Sequence, residues 1–208
     1  MRIVILANGW LNQPLQFQPD DILVAADGGA RHCLELGLTP DYVIGDLDSL
    51  DDSHLQKLAA LGSQIVRYPT RKDFTDLELA IQHALKLGAT EIVIQAALGA
   101  RWDQTIANLL LPAGFPSAHI YLVDGDQEIH LLRGGKELEL HGQPGDTVSL
   151  ISLSPQTRGV TTQNLEYPLQ DGTLYLGSTR GVSNVLLDKH ARISIKKGLL
   201  LCTLIHVQ

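Results

Sequence analysis

Four short stretches of the chain set carboxylates beside glycines or cations: Ala26-Asp27-Gly28-Gly29-Ala30, Gly45-Asp46-Leu47-Asp48-Ser49, Arg71-Lys72-Asp73-Phe74-Thr75-Asp76 and Gly99-Ala100-Arg101-Trp102-Asp103-Gln104. Carboxylates gathered within about 4 Å of one another repel by about 4 kcal/mol per pair at an intermediate effective dielectric constant, so such a cluster needs cations to hold it. Hard divalent ions with oxygen ligands meet that need, and Mg²⁺ typically takes one or two carboxylates together with substrate phosphates. Arg71, Lys72 and Arg101 lie in the same stretches and would neutralise phosphate oxygens as charge develops. The combination points to phosphoryl-type chemistry on a nucleotide.

Each piece alone has an ordinary structural explanation. An Asp-x-Asp pair such as Asp46 and Asp48 is more often a solvated turn or a helix cap. Asp73 or Thr75 would cap a helix, and Asp76 would favour its N-terminal dipole. Gly28-Gly29 alone is a tight turn. Trp102 reads as a core residue instead of a stacking platform, and the eight histidines show no ligand spacing. Convergence is what favours chemistry, because caps have no reason to gather acids at one edge of one sheet.

The elements that must position these residues are legible in the apolar pattern. Short apolar runs at 3–7, 22–26, 42–44, 64–68, 91–96 and 119–123 predict strands, and 30–36, 53–61, 75–87 and 102–111 predict helices between them. That alternation is the signature of βαβ units around a parallel sheet. The helix over 75–87 is the clearest, with Leu77, Ala80, Ile81, Ala84 and Leu85 on one stripe and Thr75 and Glu78 spaced as a capping box. In open parallel sheets, ligands bind beyond the carboxyl ends of the strands, where loops meet helix N-termini. The four acidic stretches all fall at such ends, and the paired glycines after Asp27 would let backbone N–H groups approach a ligand.

Beyond Asp124 the rhythm changes. Short strands at 128–132, 137–140, 147–153, 159–162, 173–176 and 192–205, the last broken near Lys197-Gly198, predict a small β-sandwich with no helix. The expected fold is therefore α/β: a Rossmann-like parallel-sheet catalytic domain over 1–123, followed by an all-β sandwich domain over 124–208.

The 208 residues carry a formal net charge of −7, which argues against a sequence-independent grip on a phosphate backbone, so no nucleic acid partner is expected. The apolar start is short, lacks a small-residue cleavage site and reads as a first strand instead of a signal peptide. No apolar run approaches the roughly 20 residues of a membrane helix, so no membrane contact is expected. The two cysteines, Cys33 and Cys202, have no spacing for zinc or a redox pair and read as reduced core residues of a cytoplasmic protein.

Taken in order, the four acidic stretches, the third extended through Leu77-Glu78, resemble the catalytic domain of thiamine pyrophosphokinases. Ser178-Thr179-Arg180-Gly181-Val182-Ser183-Asn184 resembles that family's thiamine-binding segment, and Leu165-Glu166-Tyr167-Pro168-Leu169 a preceding strand motif. The resemblance covers nearly the whole chain. It implies that ATP donates its terminal pyrophosphate to the hydroxyethyl group of thiamine, giving thiamine diphosphate and AMP, in a homodimer whose thiamine sites lie between subunits. Carried over by position, Asp46, Asp48, Asp73 and Asp76 would hold Mg²⁺ and the ATP phosphates. Asp27, Gly28, Gly29, Lys72 and Arg101 would serve the nucleotide side, with Lys72 also among the catalytic groups. Asp103 and Gln104 would line the substrate cleft. Ser178, Thr179 and Arg180 belong to the acceptor segment, where Ser183 and Asn184 would contact thiamine. Asp73 is the carboxylate expected near the nucleophile. Two positions depart from the family pattern: Gln104 stands where bacterial members often have His, which removes acid–base chemistry there, and Asn164 replaces a common Gly in a turn.

Three other readings compete. A pyrophosphokinase acting on another hydroxyalkyl heterocycle, such as a pterin, would use the same metal chemistry with a different acceptor pocket. A phosphatase of the haloacid dehalogenase type would place its nucleophilic Asp on the first strand, whereas Asp46 and Asp48 follow the third. A non-catalytic nucleotide sensor would not need acids at four strand ends.

Overall fold

Most apolar runs of the first half become strands with both faces buried, which is what helices packed on either side of a parallel sheet require. The structure is a computed structural model that describes residues 1–12, 14–99 and 101–207. Within it the chain divides into two compact units, Met1–Gly125 and Asp126–Gln208.

The first unit is built from β1 (Arg2–Leu6), β2 (Ile22–Ala26), α1 (Gly29–Glu35), β3 (Tyr42–Gly45), α2 (Asp52–Ala60), β4 (Gln64–Arg67), α3 (Asp76–Lys86), β5 (Glu91–Gln95), α4 (Trp102–Leu110) and β6 (His119–Asp124). Its strands are parallel in the order β6-β5-β1-β2-β3-β4. The chain thus works outward from β1 to β4, then starts again on the other side of β1 with β5, so the topological switch falls between β1 and β5. Val4, Leu6, Leu23, Ala25 and Val43 pack with Ala30 and Cys33 of α1 and Leu55 and Leu58 of α2 in one core. Their neighbours Ile3, Ile5, Ile92 and Ile94 alternate to the opposite face and are fully buried too, while α3 packs against β1, β2 and β3. After α4 the chain tightens into a 3₁₀ turn, Leu111–Gly114, where Pro112 cannot continue an α-helix.

The second unit contains β7 (Gln127–Arg133), β8 (Lys136–His141), β9 (Thr147–Ser152), β10 (Gln156–Gln163), β11 (Gly172–Tyr175), β12 (Asn184–Val185), β13 (His190–Ile195) and β14 (Leu199–Ile205). Here β12, β9, β14 and β7 are antiparallel neighbours in that order, and β11, β10, β13 and β8 form a separate antiparallel sheet. Leu132, Leu150 and Cys202 from the first set share one core with Leu140, Val160 and Ile193 from the second. The break expected near Lys197-Gly198 separates β13 from β14, with Gly198 at φ +108°. Strand β12 has two residues and no apolar alternation, so nothing in the sequence pattern announces it.

Burial raises the Cys33 thiol to about 12 and lifts that of Cys202 as well. Both are free thiols. Among the described residues no helix is long and apolar enough to cross a membrane.

Candidate active site

Three carboxylates from three separate strand and helix ends converge in the first unit. Asp27 follows β2, Asp46 follows β3 and Asp76 opens α3, and one oxygen from each lies within 4.8 Å of the others. Local backbone geometry aims them. Asp27 and Leu47 adopt left-handed φ angles of 44° and 65°, conformations that cost on the order of 1–3 kcal/mol each when a non-glycine residue holds them. Gly45 keeps the space between them open, because a Cβ there would lie 3.0 Å from both Asp27 Cβ and Asp76 Oδ1. Thr75 caps α3 by accepting the Glu78 N–H at 3.2 Å, which fixes the helix start that carries Asp76.

Lys72 is the counter-charge. Its ammonium lies 2.9 Å from Asp46 Oδ2 and 3.0 Å from Asp76 Oδ1. The hydrogen bond from Lys72 holds the Asp46 carboxyl below its ordinary range. Partial burial pushes the Lys72 ammonium down, but the negative charges of Asp46 and Asp76 beside it outweigh that and lift it above its usual value. Asp48 is pushed up, first by the negative charge of Asp46 and further by partial desolvation and the charges of Asp27 and Asp76.

One cation does not satisfy three acids. Ser49 donates to Asp27 Oδ2, yet Asp27 Oδ1 is buried with no hydrogen-bond donor among the described residues. Asp76 Oδ1 meets Lys72 only as an ion pair without hydrogen-bond geometry. Oxygen-only ligands at this spacing, with lone pairs left over, fit a divalent cation such as Mg²⁺.

This grouping differs from the expected metal set of Asp46, Asp48, Asp73 and Asp76. Asp27 joins it, while Asp48 and Asp73 are exposed and lie outside it. Leu47 is buried at its left-handed turn, which sends Asp48 outward. Asp73 precedes the cap of α3, whereas Asp76 is the first helical residue and faces the ends of β2 and β3. The glycines after Asp27 also have a different neighbour from the expected ligand. A Cβ on Gly29 would sit 2.0 Å from the Leu6 carbonyl oxygen, and one on Gly28 would meet the Asn8 side chain at 2.2 Å, so both glycines admit β1 and its following loop.

A cleft of about 310 Å³ adjoins the acids, lined by Asp27, Asp76, Asn8, Gly9, Arg101 and Gln104 among others. Arg101 chelates Asp103 through Nε and Nη2, with Nε at 3.1 Å from Oδ1. Both residues are exposed, and the pair lifts the guanidinium and lowers the carboxyl from their ordinary values. Ala100 lies outside the described residues. Asn8 and Asn108 also line this cleft, and motif reading did not single them out. Asn8 sits at the carboxyl end of β1, and the strand-end rule that found the acids would have found it. Asn108 is buried and donates to the Ala97 carbonyl at 2.7 Å, holding the loop after β5.

In the second unit, Arg180, Gly181, Val182 and Asn184 line a cleft of about 180 Å³ together with Leu150, Tyr167 and Leu169, while Ser178, Thr179 and Ser183 are not among its lining residues. Asn184 is buried and spends its amide on the chain: Oδ1 accepts from Tyr167 N at 3.0 Å and Nδ2 donates to Tyr167 O at 2.8 Å. Ser183 is exposed at φ 61°, with its N–H bonded to Ser149 Oγ at 3.0 Å. Ser178 Oγ accepts from Arg180 N at 3.3 Å, and the Thr179 and Arg180 side chains are exposed.

Residues 15–122 match the family model for the thiamin pyrophosphokinase catalytic domain, and residues 135–200 match the model for the vitamin B1 binding domain of the same family. The chain belongs to the thiamin pyrophosphokinase family. It is 28% identical over 180 residues to thiamine pyrophosphokinase of Bacillus subtilis (strain 168), covering 86% of this chain and 84% of that protein. It is 26% identical over 211 residues to thiamine pyrophosphokinase 1 of Arabidopsis thaliana, covering 90% and 79%. The crystal structure of the Bacillus subtilis thiamine pyrophosphokinase superposes with a TM-score of 0.87 at 26% identity over the full length of both chains. Thiamin pyrophosphokinase from Candida albicans shares the fold at a TM-score of 0.78 and 18% identity, covering 98% of this chain and 88% of that one.

Proposed function

We infer that this member of the thiamin pyrophosphokinase family transfers the terminal pyrophosphoryl group of ATP to the hydroxyl of thiamine, giving thiamine diphosphate and AMP. The observation that carries the reading is the convergence of Asp27, Asp46 and Asp76 around Lys72 beside a cleft at the strand ends. The first unit then serves as a Rossmann-like catalytic domain, with its cleft at the switch between β1 and β5. The second unit is a sandwich that receives thiamine along Ser178 to Asn184. The match of 135–200 to a vitamin B1 binding domain favours thiamine over a pterin as acceptor.

In the proposed reaction the thiamine hydroxyl oxygen bonds to the β-phosphorus, the bond from that phosphorus to the α-phosphate oxygen breaks in line, and AMP leaves. Asp27, Asp46 and Asp76 would hold Mg²⁺, which would supply positive charge against the phosphate oxygens. Lys72 turns its ammonium from the acids to a phosphate oxygen, and Arg101 orients the triphosphate while Asp103 holds the guanidinium in place. Most of the rate then comes from positioning and charge stabilisation, as is usual for phosphoryl transfer. Asp48 adds negative charge at the rim of the metal site, and Asp73 receives the hydroxyl proton. Gln104 lines the cleft and holds substrate by hydrogen bonds, since an amide does not exchange protons usefully near neutral pH.

We further assign a homodimer with thiamine bound between subunits and a cytoplasmic location, the latter supported by two free buried cysteines. The central test mixes protein, MgATP and thiamine. AMP rather than ADP is the expected product, and ADP or free phosphate would refute pyrophosphoryl transfer. Asp73→Asn should abolish turnover while ATP still binds; near-normal turnover would remove Asp73 from the mechanism.

A further inference from the structure

Asp27 enters the acid cluster from a left-handed residue, and a loop other than its own holds its carboxylate. Its backbone N–H donates to the Ile44 carbonyl at 2.8 Å, which carries the pairing of β2 with β3 one residue further. That bond fixes the main chain but leaves the side chain free to choose among rotamers. The choice is made by Ser49, whose hydroxyl donates to Asp27 Oδ2. A serine has one proton to give, so one carboxylate oxygen is taken. Oδ1 stays buried without a hydrogen-bond donor among the described residues, and its lone pairs remain for a cation.

Ser49 is itself held from two sides. Leu47 and Leu50 are buried in the core shared with α1 and α2, so the turn between them is anchored at both ends. Leu50 N–H closes that turn onto the Leu47 carbonyl at 3.4 Å. From α1, the exposed Arg31 donates through Nη2 to the Ser49 carbonyl. Arg31 stands four residues after Asp27, and its own N–H bonds the Gly28 carbonyl at 3.0 Å. These contacts close a ring: Asp27 leads into α1, α1 reaches the Ser49 carbonyl through Arg31, and Ser49 returns to Asp27 through its hydroxyl. The loop after β3 therefore supplies Asp46 to the cluster and also sets how Asp27 enters it.

We propose that Ser49, braced by Arg31, is a positioning residue for the cation site: it commits Asp27 Oδ2 to a hydrogen bond and so keeps Oδ1 for the divalent ion. Ser49 acts through Asp27 and needs no contact with phosphate or acceptor. Groups that hydrogen-bond a metal-ligating carboxylate typically control about 10- to 100-fold in metal affinity. This assignment rests on the metal-assisted reading above.

Calorimetric titration of the full-length protein with Mg²⁺ alone reads this role without turnover. Ser49→Ala is expected to bind Mg²⁺ about 10- to 100-fold more weakly than the wild type, and to lose the matching part of any Mg²⁺-dependent rise in unfolding temperature. Ser49→Thr keeps the hydroxyl and should recover most of the affinity. Arg31→Met, a change at an exposed side chain, should weaken Mg²⁺ binding in the same direction by a smaller factor. Wild-type Mg²⁺ affinity in Ser49→Ala overturns the proposal, and so does a Ser49→Thr variant as weak as Ser49→Ala. Turnover lost in Ser49→Ala with Mg²⁺ binding intact also overturns it, because that result makes Ser49 a nucleophile with Asp27 as its base. If Ser49→Ala does not fold, Arg31→Met decides alone, and an unchanged Mg²⁺ affinity there overturns the brace. A wild type that binds no Mg²⁺ removes the cation site itself and the proposal with it. Failure to form AMP, with the Mg²⁺ affinities as expected, would instead sink pyrophosphoryl transfer and leave the Ser49 assignment standing.

Discussion

Lys72 neutralises part of the charge that Asp27, Asp46 and Asp76 bring together, and it stands where a divalent cation would also be drawn. Removing it therefore separates two effects. Lys72→Met is expected to bind Mg²⁺ alone more tightly than the wild type, because a competing positive charge is gone, and to turn over more slowly with a raised KM for ATP. Calorimetric titration with Mg²⁺ checks the first part, and weaker binding would show that Lys72 supports the cation site instead of competing with it. Gly45 makes a second case at this scale. Its hydrogen leaves room that a methyl would take from Asp27 and Asp76, so Gly45→Ala should lower the rate of AMP formation about 10- to 100-fold, the range expected when reacting groups are misplaced by about an ångström.

At the scale of elements, the start of α3 and the edge of the second unit are both held by identifiable polar contacts. Thr75→Ala removes the side-chain acceptor at the α3 cap. It should cost about 1 kcal/mol in chemical denaturation and weaken Mg²⁺ binding as well, because the same turn carries Asp76. In the second unit, Glu128 bonds His130 at 3.1 Å and lies 3.5 Å from His206, which in turn reaches Asp146 at 3.1 Å. Burial pushes the Glu128 carboxyl up, but His130 and His206 hold it below the ordinary 4.5. Asp146, likewise pushed up by burial, is held below 3.8 by the N–H groups of Gln143 and Val207 and by His206. A carboxyl whose folded value is depressed stabilises the fold above its unfolded value and loses that contribution as pH falls through the folded one. The second unit should therefore lose stability below about pH 4.5, and Glu128→Gln should lessen that loss in urea melts repeated across the acid range.

For the whole molecule, cation binding is linked to folding. A ligand that binds only the native state adds about 2.7 kcal/mol at a hundred times its dissociation constant. Saturating Mg²⁺ should raise the unfolding temperature of the wild type, and Asp27→Asn or Asp76→Asn should lose most of that rise. An equal rise in these variants would place the cation elsewhere. With two compact units, the melt need not be a single transition, and the Mg²⁺-dependent part belongs to the unit that carries the acids.

The amino-acid sequence by itself determined the alternation of β1 to β6 with four helices, the all-β character of the second unit and the placement of acids at strand ends. These are local properties, set by a hydrophobic period of two or 3.6 residues and by the order of motifs along the chain. The family follows from the same order. Only the tertiary structure decided which acids meet. Asp27 enters the cluster and Asp48 leaves it because single residues, Asp27 and Leu47, take left-handed backbone angles. Asp76 belongs and Asp73 does not because of where α3 begins. Trp102 likewise reads as core in the sequence and stands in solvent in the fold. Periodicity says which face of a helix is apolar, but whether another element covers a residue depends on packing between parts of the chain far apart in sequence, and no local pattern encodes that.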